Sequence, residues 1–225
     1  MRVPEWIMVR PAHDNGGLER SDVVDGVAGN TRLTSATGLV LVALLAIEGV
    51  TILSVRQMIT LHIFVGVMLL GPVLLKSGST FYRFARYYTG SPEYRRKGPP
   101  SPLHRILGPV VIGSSLSLLG TGVALIFAGD QGSGWLLVAH QTCFWVWVVV
   151  IAVHVVGHLW EAAVTAWKEI RGSLSGRAAT RRRWRFMAIA LALVLGVGAA
   201  TTLMPTAASW TNRSVEQHFR PAPRP

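Results

Sequence analysis

Residues 135–161 read WLLVAHQTCFWVWVVVIAVHVVGHLWE. The stretch is long and apolar enough to cross a bilayer as one helix, yet it carries His140, His154 and His158. At about 100° per residue, the 14 residues from His140 to His154 fall about 40° short of whole turns. The 18 residues from His140 to His158 close on about five turns. One helical face therefore holds all three imidazoles, with the last two roughly 21 and 27 Å beyond the first. Polar rings at two depths on one stripe need partners inside a bundle, since lipid supplies none.

The bulk composition agrees with a membrane chain. Of 225 residues, 50% are hydrophobic and only 15% charged, against about a quarter charged in soluble domains. The net charge of +11 lies between the apolar blocks rather than on a soluble basic face, which excludes nucleic acid as the partner. Cys143 is the single cysteine, so no intrachain disulfide forms, and no CxxCH is present to anchor haem covalently. Residues 1–33 lack an apolar core of the kind a cleaved signal peptide needs, so the first apolar block is expected to act as a retained anchor.

Working outward, five apolar blocks predict an all-α integral membrane bundle of four core transmembrane helices and a fifth, peripheral one. Residues 1–33 read as a cytoplasmic tail with a short surface helix near Pro4, and 34–161 as the four-helix bundle. Its first span, 34–55, contains Glu48; the second, 58–75, contains His62 and ends at Lys76. Only Arg56 and Gln57 separate the two, which forces an antiparallel hairpin. A loop rich in Arg, Lys and Tyr, 77–101, should rest its aromatics at the headgroups and its cations on anionic lipid. Pro102 opens the third span, 103–127, with His104 at its mouth. A basic loop at 162–184 leads to the fifth span, 185–204, and a polar tail at 205–225.

Cations orient these spans. The N-terminal tail, the second-to-third loop and the fourth-to-fifth loop together carry 18 of the 22 Lys and Arg. By the positive-inside rule the N-terminus is expected in the cytoplasm and the C-terminus outside, in the plasma (inner) membrane of a bacterial-type cell.

Depth then sorts the histidines. His62 and His140 lie one to two turns from the outer surface, on the second and fourth spans; His104, His154 and His158 lie in the inner half. Adjacent helices packed about 8–10 Å apart leave no room for a porphyrin, whereas diagonal helices of a four-helix bundle do. The His62 and His140 pair is therefore expected to hold one haem b between diagonal helices. A second haem would use His154 or His158 facing His104. Two other readings stay open: His154 and His158 as ligands of a metal ion, and structural imidazoles bonded within the bundle. Gly66, one turn from His62, would make room for a flat ring, and the glycines of the third span equally suit close helix packing. Three roles stay open for Glu48: bonding an imidazole, proton movement with a quinol, or the polar rim. Arg56 fits either a haem propionate or the interface.

His62 in LHIFVG, His140 in VAHQT, and His154 with His158 in VHVVGHL resemble the bacterial membrane cytochrome b superfamily of four-helix haem proteins, including the ferric-reductase-like transmembrane group. The resemblance covers about residues 34–161. It implies b haems held by paired histidines and stacked across the bilayer, with electrons crossing between them. The second span carries one histidine where that pattern has two, so the inner ligand set uses His104 or is incomplete. No GxGxxG in a strand-turn-helix context follows, so a quinol or a separate redox partner protein would exchange the electrons. The implied function is an electron-transfer subunit between a quinol or cytoplasmic donor and an outer-face partner. The competing class is a non-redox membrane protein: a metal or small-solute carrier, or an assembly factor.

Overall fold

A chain in lipid must satisfy its backbone internally, and apolar blocks of this length do so as helices. The computed structural model describes residues 15–91, 95, 102–130, 134–171 and 176–212, and among them there are helices and turns but no strand. Among the described residues the long helices are, in order, α1 (Asn15–Leu53), α2 (Ile59–Met68), α3 (Leu70–Tyr88), α4 (Pro102–Ala128), α5 (Gly134–Arg171) and α6 (Gly176–Leu203). Five stretches are long and apolar enough to span a membrane: Gly29–Leu53, Ile59–Tyr88, Ile106–Ala128, Gly134–Val156 and Thr180–Leu203. The protein is an all-α, multi-pass membrane bundle. Its exposed large side chains, Leu53, Val149, Val156 and Leu191 among them, are the surface such a bundle presents to acyl chains.

The second span is α2 and α3 joined at Leu69, where the backbone stays helical at φ −60° and ψ −22°. The cause of the break is local. Pro72 has no N–H to give the Met68 carbonyl, so one rung of the ladder is missing there. The fifth span uses the gap: a Cβ on Gly71 would overlap the Ala192 carbonyl, and one on Gly196 would overlap the Met68 carbonyl. Two glycines thus let α6 cross α2 and α3 at backbone contact, the small-residue packing that membrane helices favour.

Four spans form a ring. α1 packs on α2, α3 and α5; α4 packs on α5 and α2; the second and fourth spans are not packing partners. They therefore stand diagonally across the bundle, as the sequence led us to expect. α6 packs on the back of α2 and α3, outside the ring. It is peripheral to the bundle interior but not loosely attached, since Ile189, Ala192 and Ala200 are buried.

Helix ends differ from span ends. The helix of the second span runs on past Lys76 to Tyr88, through what reads as loop, and α5 continues to Arg171. Likewise α1 begins at Asn15, inside the segment read as a tail. Charges mark where a helix leaves the apolar layer, not where its hydrogen bonds stop. Phe84 and Tyr88, one turn apart in α3, pack at 4.4 Å, and Arg171 caps the Trp167 ring at 3.9 Å. The surface helix expected near Pro4 lies outside the described residues. Gly129, at φ +66°, ends α4 in a left-handed conformation, its N–H bonded to the Leu125 carbonyl at 3.1 Å.

After α6 the chain does not simply leave. Ala207 is fully buried against the cluster of Val67, Ile126 and Ala200. The Trp210 indole N–H then donates to the Leu125 carbonyl at 3.0 Å, folding residues 205–212 over one end of the ring.

Candidate functional site

Between the spans of the ring lies an apolar cavity of about 990 Å³, open on part of its surface and at the upper end of the range for small-molecule sites. It is lined by α1 to α5 and by Trp210, and by no residue of α6. Its few ionisable linings are Glu48, His62, Lys76, His140 and His154. The helix registers sort these into two levels.

Along the first hairpin, Thr51 meets His62 and Glu48 lies against Gly66; further down, Thr34 meets Lys76. Along the second hairpin, Thr121 meets His140, and Ser115 meets Trp147, six residues further along α4 and seven along α5. The same register carried seven more residues sets Gly108 opposite His154. One level therefore holds His62 and His140, within electrostatic reach of each other. The other, about 21 Å away along both helices, holds Lys76 and His154.

At the first level both rings are held in the same way. The Thr51 hydroxyl is 2.6 Å from the Glu48 backbone carbonyl, an acceptor only, so its proton is committed there. It can only accept from His62 Nδ1, 3.1 Å away, so Nδ1 carries the ring hydrogen. That hydrogen also faces Glu48 Oε1 at 2.8 Å. On the diagonal helix the Thr121 hydroxyl lies 2.9 Å from each of the Ser117 and Leu118 carbonyls. Its lone pair receives His140 Nδ1–H at 3.0 Å. In its neutral form each ring thus carries its hydrogen on Nδ1 and has the Nε2 lone pair left over, the arrangement by which supporting groups orient metal-ligating histidines. The side-chain partners of both rings, Thr51 and Glu48 for His62 and Thr121 for His140, all meet Nδ1.

Glycines make this packing possible. A Cβ on Gly122 would sit 3.2 Å from His140 Cε1, and one on Gly66 would sit 3.4 Å from Glu48 Oε1. The space beside Gly66 thus goes to the Glu48 carboxylate rather than to a flat ring. Of the roles open to Glu48, the structure shows the bond to an imidazole.

His154 lines the same cavity one level away. His104 and His158 lie on α4 and α5, but their side chains are outside the described residues, so the inner pairing expected for them is not described. Among the described residues there is no cluster of three or more His, Cys, Asp or Glu placed to hold a metal ion. Arg56 sits exposed in the α1–α2 turn.

Three side chains of the candidate site are not legible in the sequence. Thr51 and Thr121 have no motif of their own; only the three-residue spacing from Glu48 to Thr51 hinted at a shared face. Lys76 reads as the end of a span, although it follows His62 by the same 14 residues that separate His140 from His154.

In comparisons with known proteins, no family model, no curated protein and no solved structure matches this chain.

Proposed function

We propose that the protein is a b-type haem electron-transfer subunit, in which His62 and His140 would hold one haem through their imidazole nitrogens. The observation that carries this reading is the matched pair of imidazoles: they face one apolar cavity from diagonal helices, and each presents Nε2 while Nδ1–H rests on a threonine hydroxyl. The donor set fits the group, because a low-spin b haem takes two neutral imidazole nitrogens and otherwise an apolar surround. Haem bound here would supply one-electron redox chemistry. The chain's own part is to fix the ligand geometry, exclude water and tune the ligands. Glu48 does the last by drawing on the His62 ring hydrogen, which makes that imidazole the more electron-rich of the two.

With the N-terminus in the cytoplasm of a bacterial-type cell, the His62 level lies near the outer face of the plasma membrane and the Lys76 level near the inner. Electrons would then pass between a quinol or cytoplasmic donor and a separate partner protein outside.

The test is pigment. Full-length protein expressed with ample haem should purify with Soret and α bands, and with haem measurable as the pyridine haemochrome. His62→Ala and His140→Ala should each abolish the same low-spin signal, leaving any second haem intact. Colourless wild-type protein, or a spectrum indifferent to both substitutions, would refute the proposal.

A further inference from the structure

We infer that the level of Lys76 and His154 is a second haem seat, in which the Lys76 amine stands in the axial position where a second histidine of the second span would be. The inference rests on the haem reading of the first level and extends it.

Three observations converge. Lys76 follows His62 by 14 residues and His154 follows His140 by 14, so two helices running in the same direction carry their donors to a common second level. Both side chains line the cavity that holds the first pair. The intervening helices are cut back at that level: Gly38, where a Cβ would come within 3.0 Å of Lys76 Nζ, and Gly108, where a Cβ would meet nothing within 4 Å.

The chemistry of Lys76 points the same way. Its nitrogen donates to the Thr34 backbone carbonyl at 3.1 Å, and among the described residues no carboxylate approaches it. An ammonium in an apolar cavity without a counter-charge is costly, whereas a neutral amine keeps an N–H for Thr34 and a lone pair for a metal. Ligation balances simply. The ammonium would give one proton to water at the nearby membrane face, the freed lone pair would be the donor that holds the iron, and no electron would change hands. His154 supplies the opposing nitrogen, so the second level pairs imidazole with amine where the first pairs imidazole with imidazole.

The experiment uses the full-length protein in detergent, read by haem-to-protein ratio and low-temperature EPR. Wild type should bind two haems with distinct low-spin signals. Lys76→Ala and His154→Ala should each lose one haem or turn it high-spin, halving the low-spin content, while the signal that depends on His62 persists and reports an intact fold. Lys76→His should restore a second low-spin haem whose signal shifts towards the bis-imidazole type. Lys76→Arg should behave like Lys76→Ala, because a guanidinium has no lone pair to give. Two haems and unchanged signals in Lys76→Ala would overturn the inference. So would a second haem retained in Lys76→Arg, which would make Lys76 a counter-ion. A wild type with one haem, lost in His140→Ala, would overturn it and leave the first-level reading standing; a wild type with none would remove both.

Discussion

At the level of His62 and His140, every polar atom that orients a ring comes from a neighbouring helix, one threonine to each histidine and a carboxylate besides. At the level of Lys76 and His154, the second span offers a flexible amine tied to a single backbone carbonyl. The two levels share their helices, their 14-residue spacing and their glycine clearances. What separates them is preorganisation. A ring gripped at Nδ1 can point its other nitrogen one way only, whereas a lysine tip on four methylenes finds its position when something binds. Disturbing the support should therefore cost much at the first level and little at the second.

The largest effect should strike both levels at once. Gly71→Leu would drive a side chain into the Ala192 carbonyl and force the fifth span off the second, which carries both His62 and Lys76. Overpacking on this scale costs at least about 3 kcal/mol. Purified Gly71→Leu should be aggregated or melt far below wild type by tryptophan fluorescence. Native-like melting would mean that the fifth span is dispensable to the ring.

Next comes a substitution that parts the levels. A branched side chain at Gly122 begins 3.2 Å from His140 Cε1, where the ring has no flexible end to move aside. Gly122→Val should weaken the first haem by roughly 10- to 100-fold in retention, the scale for a disturbed supporting shell. The signal that depends on Lys76 should stay. Haem loss to a competing apoprotein measures both, and equal loss at the two levels would erase the distinction drawn between them.

Smaller still are the hydrogen-bond substitutions within the first level. Thr121→Val deletes the hydroxyl that accepts from His140 Nδ1–H and leaves the ring the Leu118 backbone carbonyl, at a cost of about 1 kcal/mol in thermal stability. Glu48→Gln keeps a partner for His62 but removes its charge, so the oxidised iron loses support and the midpoint potential should rise by roughly 30–60 mV. Redox titration at visible wavelengths decides the sign. A fall in potential would show that Glu48 does not tune the His62 ring.

How much of this was legible beforehand follows from what each signal encodes. Hydropathy marks spans, and all five spans are helices. It is silent on helix continuation, because the backbone ladder of α3 through Phe84 and Tyr88 depends on helical sterics and not on lipid. That His62 and His140 can stand on diagonal helices follows from helix packing distance and the width of a porphyrin; that they do so is given by the helix contacts. The hydroxyls of Thr51 and Thr121 did not, since a threonine in a membrane helix ordinarily bonds back to its own turn, as both of these also do. Lys76 was hidden by its charge. A lysine after an apolar run reads as the membrane edge, and only the register with Thr34 and Gly38 turns it inward. The helical turn at 208–212, folded over the cavity by Trp210, lies in a polar segment with no periodicity to announce it.

The finest distinction is at Gly38. Alanine there places a Cβ 3.0 Å from Lys76 Nζ, tighter than an ordinary contact, but the atom it meets is the tip of a flexible side chain. The lysine can retreat by a few tenths of an ångström, and alanine gains up to about 1 kcal/mol of helix propensity over glycine. Thermal stability should therefore hold or rise slightly. The retreat is not neutral for the amine, because it is pushed off the Thr34 carbonyl that now holds it at 3.1 Å. The EPR signal that depends on Lys76 should shift or broaden in Gly38→Ala, while the His62 signal stays unchanged. The contrast with Gly122→Val would then be complete: on the proposed reading, a rigid ring crowded by a new side chain would lose the haem it holds, and a flexible amine crowded in the same way would only move. A Gly38→Ala protein that loses its second haem outright would mean that Lys76 is held as tightly as the histidines, and the difference in preorganisation between the levels would be gone.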